Sequence, residues 1–128
     1  MYDEILQAVI TMAEEAAGMS IITGSMPPDN GIAMTGQSSS TPIFLDIGSN
    51  ENLDVVCNGK NTSQVDIIRL LDAIHQHLTR RKNFPSGNGW QIYAIETIAS
   101  PRLIGREQNS QWLYGSSLLV KINVKGIG

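Results

Sequence analysis

Cys57, His75 and His77, with Asp72 one helical turn before His75, are the side chains whose types could carry nucleophilic, acid–base or metal chemistry. The two histidines stand two residues apart in a helical pattern, so they point about 200° away from each other and cannot share a metal from one helix face. Asp72 and His75 have the spacing of a local surface pair, not of a catalytic dyad. Cys57 lies between Val56 and Asn58 in a strand pattern, where a thiol usually packs as a small apolar group, and nothing in the sequence brings it to His75. A lone cysteine forms no internal disulfide and, with no Cys or His at ligand spacing, no structural zinc site. Gly87-Asn88-Gly89 lacks the following helix and the Lys-Ser or Lys-Thr ending of a phosphate loop, so it marks a turn. Glu14 and Glu15 are neighbours on a helix flank and read as a solvated face. The expectation is a protein that is not an enzyme and uses no cofactor or metal.

The elements around these residues are better defined than the chemistry. Asp3 can cap a first helix running to about Ala17, with Ile5, Val9, Met12, Ala13 and Ala16 as its apolar stripe and Gly18 as its left-handed stop. Met19 to Thr23 reads as a short strand. The turn formers of 25–31 and the polar stretch 36–42 flank Ile32 to Met34 and predict a hairpin with a mobile tip. Two more strands, Ile43 to Asp46 and Leu53 to Asn58, are joined by a polar turn over 48–52. Asn61 with Gln64 approximates a capping box, and Ile67, Leu71, Ile74 and Leu78 recur at helical spacing behind it. Arg80-Arg81-Lys82 favours the negative end of that helix. Trp90 to Ile98 is a strand, 99–110 a loop, and Gln111 to Lys125 a long final strand in which Leu118, Val120, Ile122 and Val124 alternate with Leu119, Lys121, Asn123 and Lys125. This order predicts an α+β domain spanning 1–128, with a mostly antiparallel single sheet and two helices packed on one face.

At 128 residues the chain is long enough for one ordinary core. It contains no apolar run of the ~18 residues that would cross a bilayer and no signal-peptide block, so we expect it to stay in the cytosol where it is made. The net charge of −3 hides an asymmetry. Up to Gly59 there are eight acids and no Lys or Arg, and from Lys60 onward nine bases and four acids, giving −8 and +5. Folding either intermixes these halves or leaves an acidic and a basic side, which would suit subunits packing head to tail. A sequence pI near 5.2 and 5% aromatic residues argue against dedicated nucleic-acid binding.

The segment 101–125 has the composition of a contact surface. Leu103 and Ile104 sit bare between Arg102 and Arg106, followed by Glu107 and then by Trp112 and Tyr114. The words Leu103-Ile104-Gly105-Arg106-Glu107 and Gln111-Trp112-Leu113-Tyr114-Gly115-Ser116-Ser117-Leu118 resemble a family of small minor capsid proteins of long-tailed bacteriophages, read as tail terminators. The likeness extends less sharply through Trp90-Gln91-Ile92, Ile95-Glu96-Thr97 and the stretch from Leu53 to Leu78, covering roughly the C-terminal two thirds of the chain.

The resemblance implies a ring, usually a hexamer, at the head-proximal end of a phage tail, which stops the tail tube and presents a surface to the head connector. Its partners would be copies of itself, the major tail tube protein and the head–tail connector protein. Duplex DNA would pass through the ring without specific binding, and an acidic protein would not hold it. In that setting Leu103 and Ile104 would be buried on assembly while Arg102, Arg106 and Glu107 set register through charge pairs. Trp112 and Tyr114 are either anchors of the same interface or part of the core of the final strand. The segment from Gln37 to Pro42 could be a second docking loop. A head-completion or connector role in the same particle, or a generic small cytosolic binding module, are the alternatives.

Overall fold

The computed structural model describes residues 2–38 and 49–124. Its chain order is α1 (Tyr2–Ala17), β1 (Ile22–Thr23), β2 (Ile32–Ser38), β3 (Ser49–Asn61), α2 (Gln64–Thr79), β4 (Ser86–Gly87), β5 (Trp90–Arg106) and β6 (Trp112–Val124). The architecture is α+β. Among the described residues the strands form one curled, six-stranded sheet in the order β1-β2-β3-β6-β5-β4. It is mostly antiparallel but mixed, because β1 runs parallel to β2 through Ile22 opposite Ala33 and Thr23 opposite Met34.

Of the hairpin expected around Ile32 to Met34, the second half is antiparallel, β2 pairing with β3 from Ile32 opposite Gly59 to Ser38 opposite Leu53, whereas 24–31 carries the chain back to start β2 in the same direction as β1. The expected polar turn at 48–52 is also strand from Ser49 onward, because β6 offers partners down to Ser49 opposite Val124. The expected strand at Ile43 to Asp46 lies outside the described residues. So does most of the candidate docking loop, of which only Gln37 and Ser38 are described, at the end of β2.

Both helices follow their apolar periodicity. α1 buries Ile5, Val9, Ile10, Met12 and Ala13, and Gly18 at φ +68° turns its end, donating its N–H to Glu14 O at 2.9 Å. α2 buries Ile67, Leu71, Ile74 and Leu78. Its cap is Ser63, not Asn61. Ser63 Oγ accepts from the Asp66 N–H at 3.3 Å, while Asn61 Oδ1 accepts the Ser63 N–H at 2.8 Å and shapes the approach. α2 packs on β3, β5 and β6, and α1 packs on α2 and β2.

In the centre of the sheet Leu53 faces Val120 and Val55 faces Leu118, so one row of β3 and β6 enters the core together with Ile122 and Met34. Gly59 belongs to this row, and a Cβ there would run into Ile67 Cδ1 of α2. The bare backbone is what lets the helix approach the sheet so closely.

Candidate assembly surface

The largest departure from the sequence reading is β5. The expected loop over 99–110 is strand as far as Arg106, and the connection to β6 is only the tight turn that follows. The Glu107 N–H donates to Gln111 O at 2.8 Å, the Ser110 N–H donates to Glu107 O at 3.0 Å, and Ser110 sits at φ +66°. This is a short hairpin loop closed by a left-handed residue.

β5 pairs with β6 through four register shifts, between Ile92 and Ala94, Thr97 and Ala99, Ala99 and Arg102, and Leu103 and Gly105. Each shift leaves an extra residue on β5 without a cross-strand partner, which re-aims its side chain. Three of the shifts expel a large apolar residue: Tyr93, Ile98 and Ile104 are all exposed, Ile104 at 55%. Leu103, opposite Tyr114, is 51% exposed. Among the described residues the other side of β5 pairs only at its start, where β4 covers Trp90 and Gln91. The result is a long edge strand carrying four solvent-facing apolar side chains.

The sequence-derived contact residues divide into two groups. Arg102, Leu103, Ile104 and Arg106 are exposed on β5. Arg106 also lies over the indole of Trp112, 4.8 Å from its ring centre, a cation–π contact that orients both. Ile104 lies across Gly115, where a Cβ would come 2.5 Å from Ile104 Cδ1 and 2.8 Å from Asn58 Oδ1. Beside it, Val56, Ala99, Arg102, Gly115 and Ser117 line a shallow depression of about 240 Å³.

The second group is engaged within the chain. Tyr114 is buried, and its hydroxyl accepts from Gln64 at the start of α2. Trp112 is half-buried against the core. Glu107 meets Lys60 Nζ at 2.7 Å, and the lysine side chain is only 8% exposed. The hairpin turn is tied down as well. Gln111 is buried and accepts the Asn30 N–H at 2.8 Å, and Asn109 donates to both carboxylate oxygens of Asp29 at 3.1 Å. The exposed pair Leu103 and Ile104 is thus presented from an anchored ribbon.

The residues with chemical potential are placed apart. Cys57 is fully buried on β3, and burial pushes its thiol up to about 12, far from a nucleophilic thiolate. His75 is 4% exposed and bonds through Nδ1 to Thr97 Oγ1 of β5 at 2.8 Å, with Nε2 buried and without a hydrogen-bond partner among the described residues. β6 lies between the strands of Cys57 and Thr97. His77 Nε2 and Arg81 meet Glu15 Oε2 at 3.4 Å, which joins the acidic first half of the chain to the basic second half. Among the described residues no three His, Cys, Asp or Glu side chains cluster as metal ligands. Among the same residues no helix is long and apolar enough to cross a membrane.

Sequence reasoning missed Tyr93 and Ile98, whose exposure depends on bulges that leave no mark in composition. It also missed a groove of about 460 Å³ lined by Ala8, Thr11, Met12, Glu15, Phe84 and Pro85, with Arg81 and Asn83. Compared with known proteins, the chain matches no family model and no curated sequence.

Proposed function

We propose that this protein is a structural virion component, a tail terminator that assembles into a ring, ends the tail tube and joins it to the head connector. It would be made in the host cytoplasm and function in the particle. The observation that carries the reading is the set of exposed apolar side chains on β5, Tyr93, Ile98, Leu103 and Ile104, the last two standing between Arg102 and Arg106. Large apolar side chains kept exposed by bulges of an anchored hairpin have no role in the monomer's own core, and such patches mark contact surfaces. The sequence resemblance through Leu103–Glu107 and Gln111–Leu118 supplies the identity of the assembly. In this reading both helices cover one face of the sheet, consistent with α2 lying against Gly59, Tyr114 and Thr97 on the core-facing row. The partners are further copies, the tail tube protein and the connector, and no bond is made or broken.

Native mass spectrometry and sedimentation of the purified protein, alone and with tail tube protein, test this. A closed ring of defined subunit number is expected. Arg106→Glu should weaken assembly while the far-ultraviolet circular dichroism stays unchanged. A chain that stays monomeric at every concentration, with and without tube, would overturn the proposal. It would leave a small binding module, the reading that the groove along α1 favours.

A further inference from the structure

The chain contains three Asn-Gly pairs, Asn30-Gly31, Asn58-Gly59 and Asn88-Gly89, and the fold treats them differently. An asparagine before glycine can cyclise on its own backbone, because the following amide nitrogen has no Cβ beside it to obstruct approach to the side-chain carbonyl carbon. The closure needs a side chain free to turn, an N–H free of other bonds and a backbone with room to move.

Two of the pairs are denied it. Asn30 is exposed, yet its Oδ1 accepts the Thr62 N–H at 3.1 Å and Gln111 Nε2 at 3.4 Å, and the Gly31 N–H that would attack donates to Pro28 O at 3.0 Å. Asn58 lies in mid-strand on β3, opposite Ala33 on one side and Gly115 on the other, with Nδ2 donating to Ser25 O at 2.9 Å. Gly59 after it is buried under Ile67.

Asn88 meets every condition. It and Gly89 form the two-residue turn between β4 and β5, with Gly87 opposite Trp90 closing the ladder and Gly89 at φ +85°. The Asn88 side chain is exposed and makes no hydrogen bond among the described residues, and the Gly89 N–H lies outside the paired positions. Among the same residues nothing beyond its chain neighbours comes within 4 Å of where a Gly89 Cβ would stand.

We infer that Asn88 is a self-modifying site, the one Asn-Gly pair of the three that deamidates in the folded chain. The Gly89 amide nitrogen, its proton taken by solvent base, bonds to Asn88 Cγ and closes a five-membered imide, while the Cγ–Nδ2 bond breaks and ammonia leaves. Water then opens the ring at either carbonyl, returning an aspartate or an isoaspartate whose side-chain carbon has entered the main chain. An extra main-chain carbon in a two-residue turn shifts the register of a strand only two residues long, so β4 comes away from β5. Trp90 is what that uncovers: its indole lies across the bare Gly87, where a Cβ would come 2.3 Å from Nε1, and it is 5% exposed. The change belongs to the single chain, whether or not copies assemble.

The full-length chain is aged in mildly alkaline buffer, folded or in guanidinium chloride, and mapped by peptide mass spectrometry. In the folded protein Asn88 should convert at least about tenfold faster than Asn30 and Asn58, which must wait for local opening, and in denaturant the three should convert at similar rates. Folded protein in which Asn88 stays intact, or in which Asn30 or Asn58 keeps pace with it, overturns the assignment. Release of β4 is read in a Trp112→Phe background, where Trp90 is the remaining tryptophan. Acrylamide quenching of its fluorescence should rise as the protein ages and stay constant in the same background carrying Asn88→Gln, whose longer side chain closes the ring far more slowly. Conversion without any rise in quenching would leave the modification standing and refute the release of β4.

Discussion

Burying an imidazole between a helix and a strand favours its neutral form. With its proton on Nδ1, His75 donates to Thr97 and leaves on Nε2 a lone pair, which is cheaper to bury unpaired than an N–H. Burial accordingly lowers the His75 pKa below its ordinary 6.5, with Asp72 pulling weakly the other way. The unfolded chain then takes up the proton before the folded chain does. The stabilising term is complete above the ordinary histidine range and is lost as pH falls through it toward the folded value. Urea titrations at about pH 7.5 and 5.5 should show the wild type losing more stability than His75→Leu over the same interval. Equal losses would mean that the histidine titrates freely. At Gly59 the constraint is steric: Gly59→Ala should cost about 1–3 kcal/mol through the clash with Ile67 Cδ1, and adding Ile67→Val, which removes that carbon, should recover part of it in the same denaturation assay.

Between elements, the hairpin of β5 and β6 is defined by what holds its turn. Glu107 was expected to set register between subunits, yet its carboxylate already neutralises Lys60, a buried amine on β3. Removing it leaves a buried cation without a partner. Glu107→Gln should therefore lower the stability of the monomer by about 1–3 kcal/mol, between the exposed and fully buried cases. Lys60→Met combined with Glu107→Leu should restore most of it, measured as the thermal midpoint at a concentration too low for assembly. A stability left unchanged by Glu107→Gln would release that residue for contacts between copies. The same element shows why a strand was read as a loop. Alternation marks a strand when one face is dry, but the second half of β5 has both faces largely wet, and four bulges reset the phase of its side chains. What makes it a strand is the backbone of β6, a partner far along the chain.

For the whole molecule, assembly through apolar side chains ringed by charge has a characteristic salt response. Raising salt from roughly 0.05 to 0.5 M shrinks the Debye length to a few ångströms and should weaken the ring several-fold without abolishing it, as sedimentation at both salts would report. Salt-independent assembly would remove Arg102 and Arg106 from the contact surface. The sequence by itself determined the two helices and their buried stripes, the pairing-competent rows of β3 and β6, the burial of Cys57, and the unusual bareness of Leu103 and Ile104, because each is written in local periodicity or residue type. Tertiary structure alone decided that Tyr114 and Trp112 pack against the monomer's own core while Tyr93 and Ile98 stand outside, that Ser63 and not Asn61 caps α2, and that β1 runs parallel to its neighbour. Bulges, cap geometry and strand direction are settled by partners distant in sequence, where hydrogen-bond pairing and exclusion of water override any local pattern.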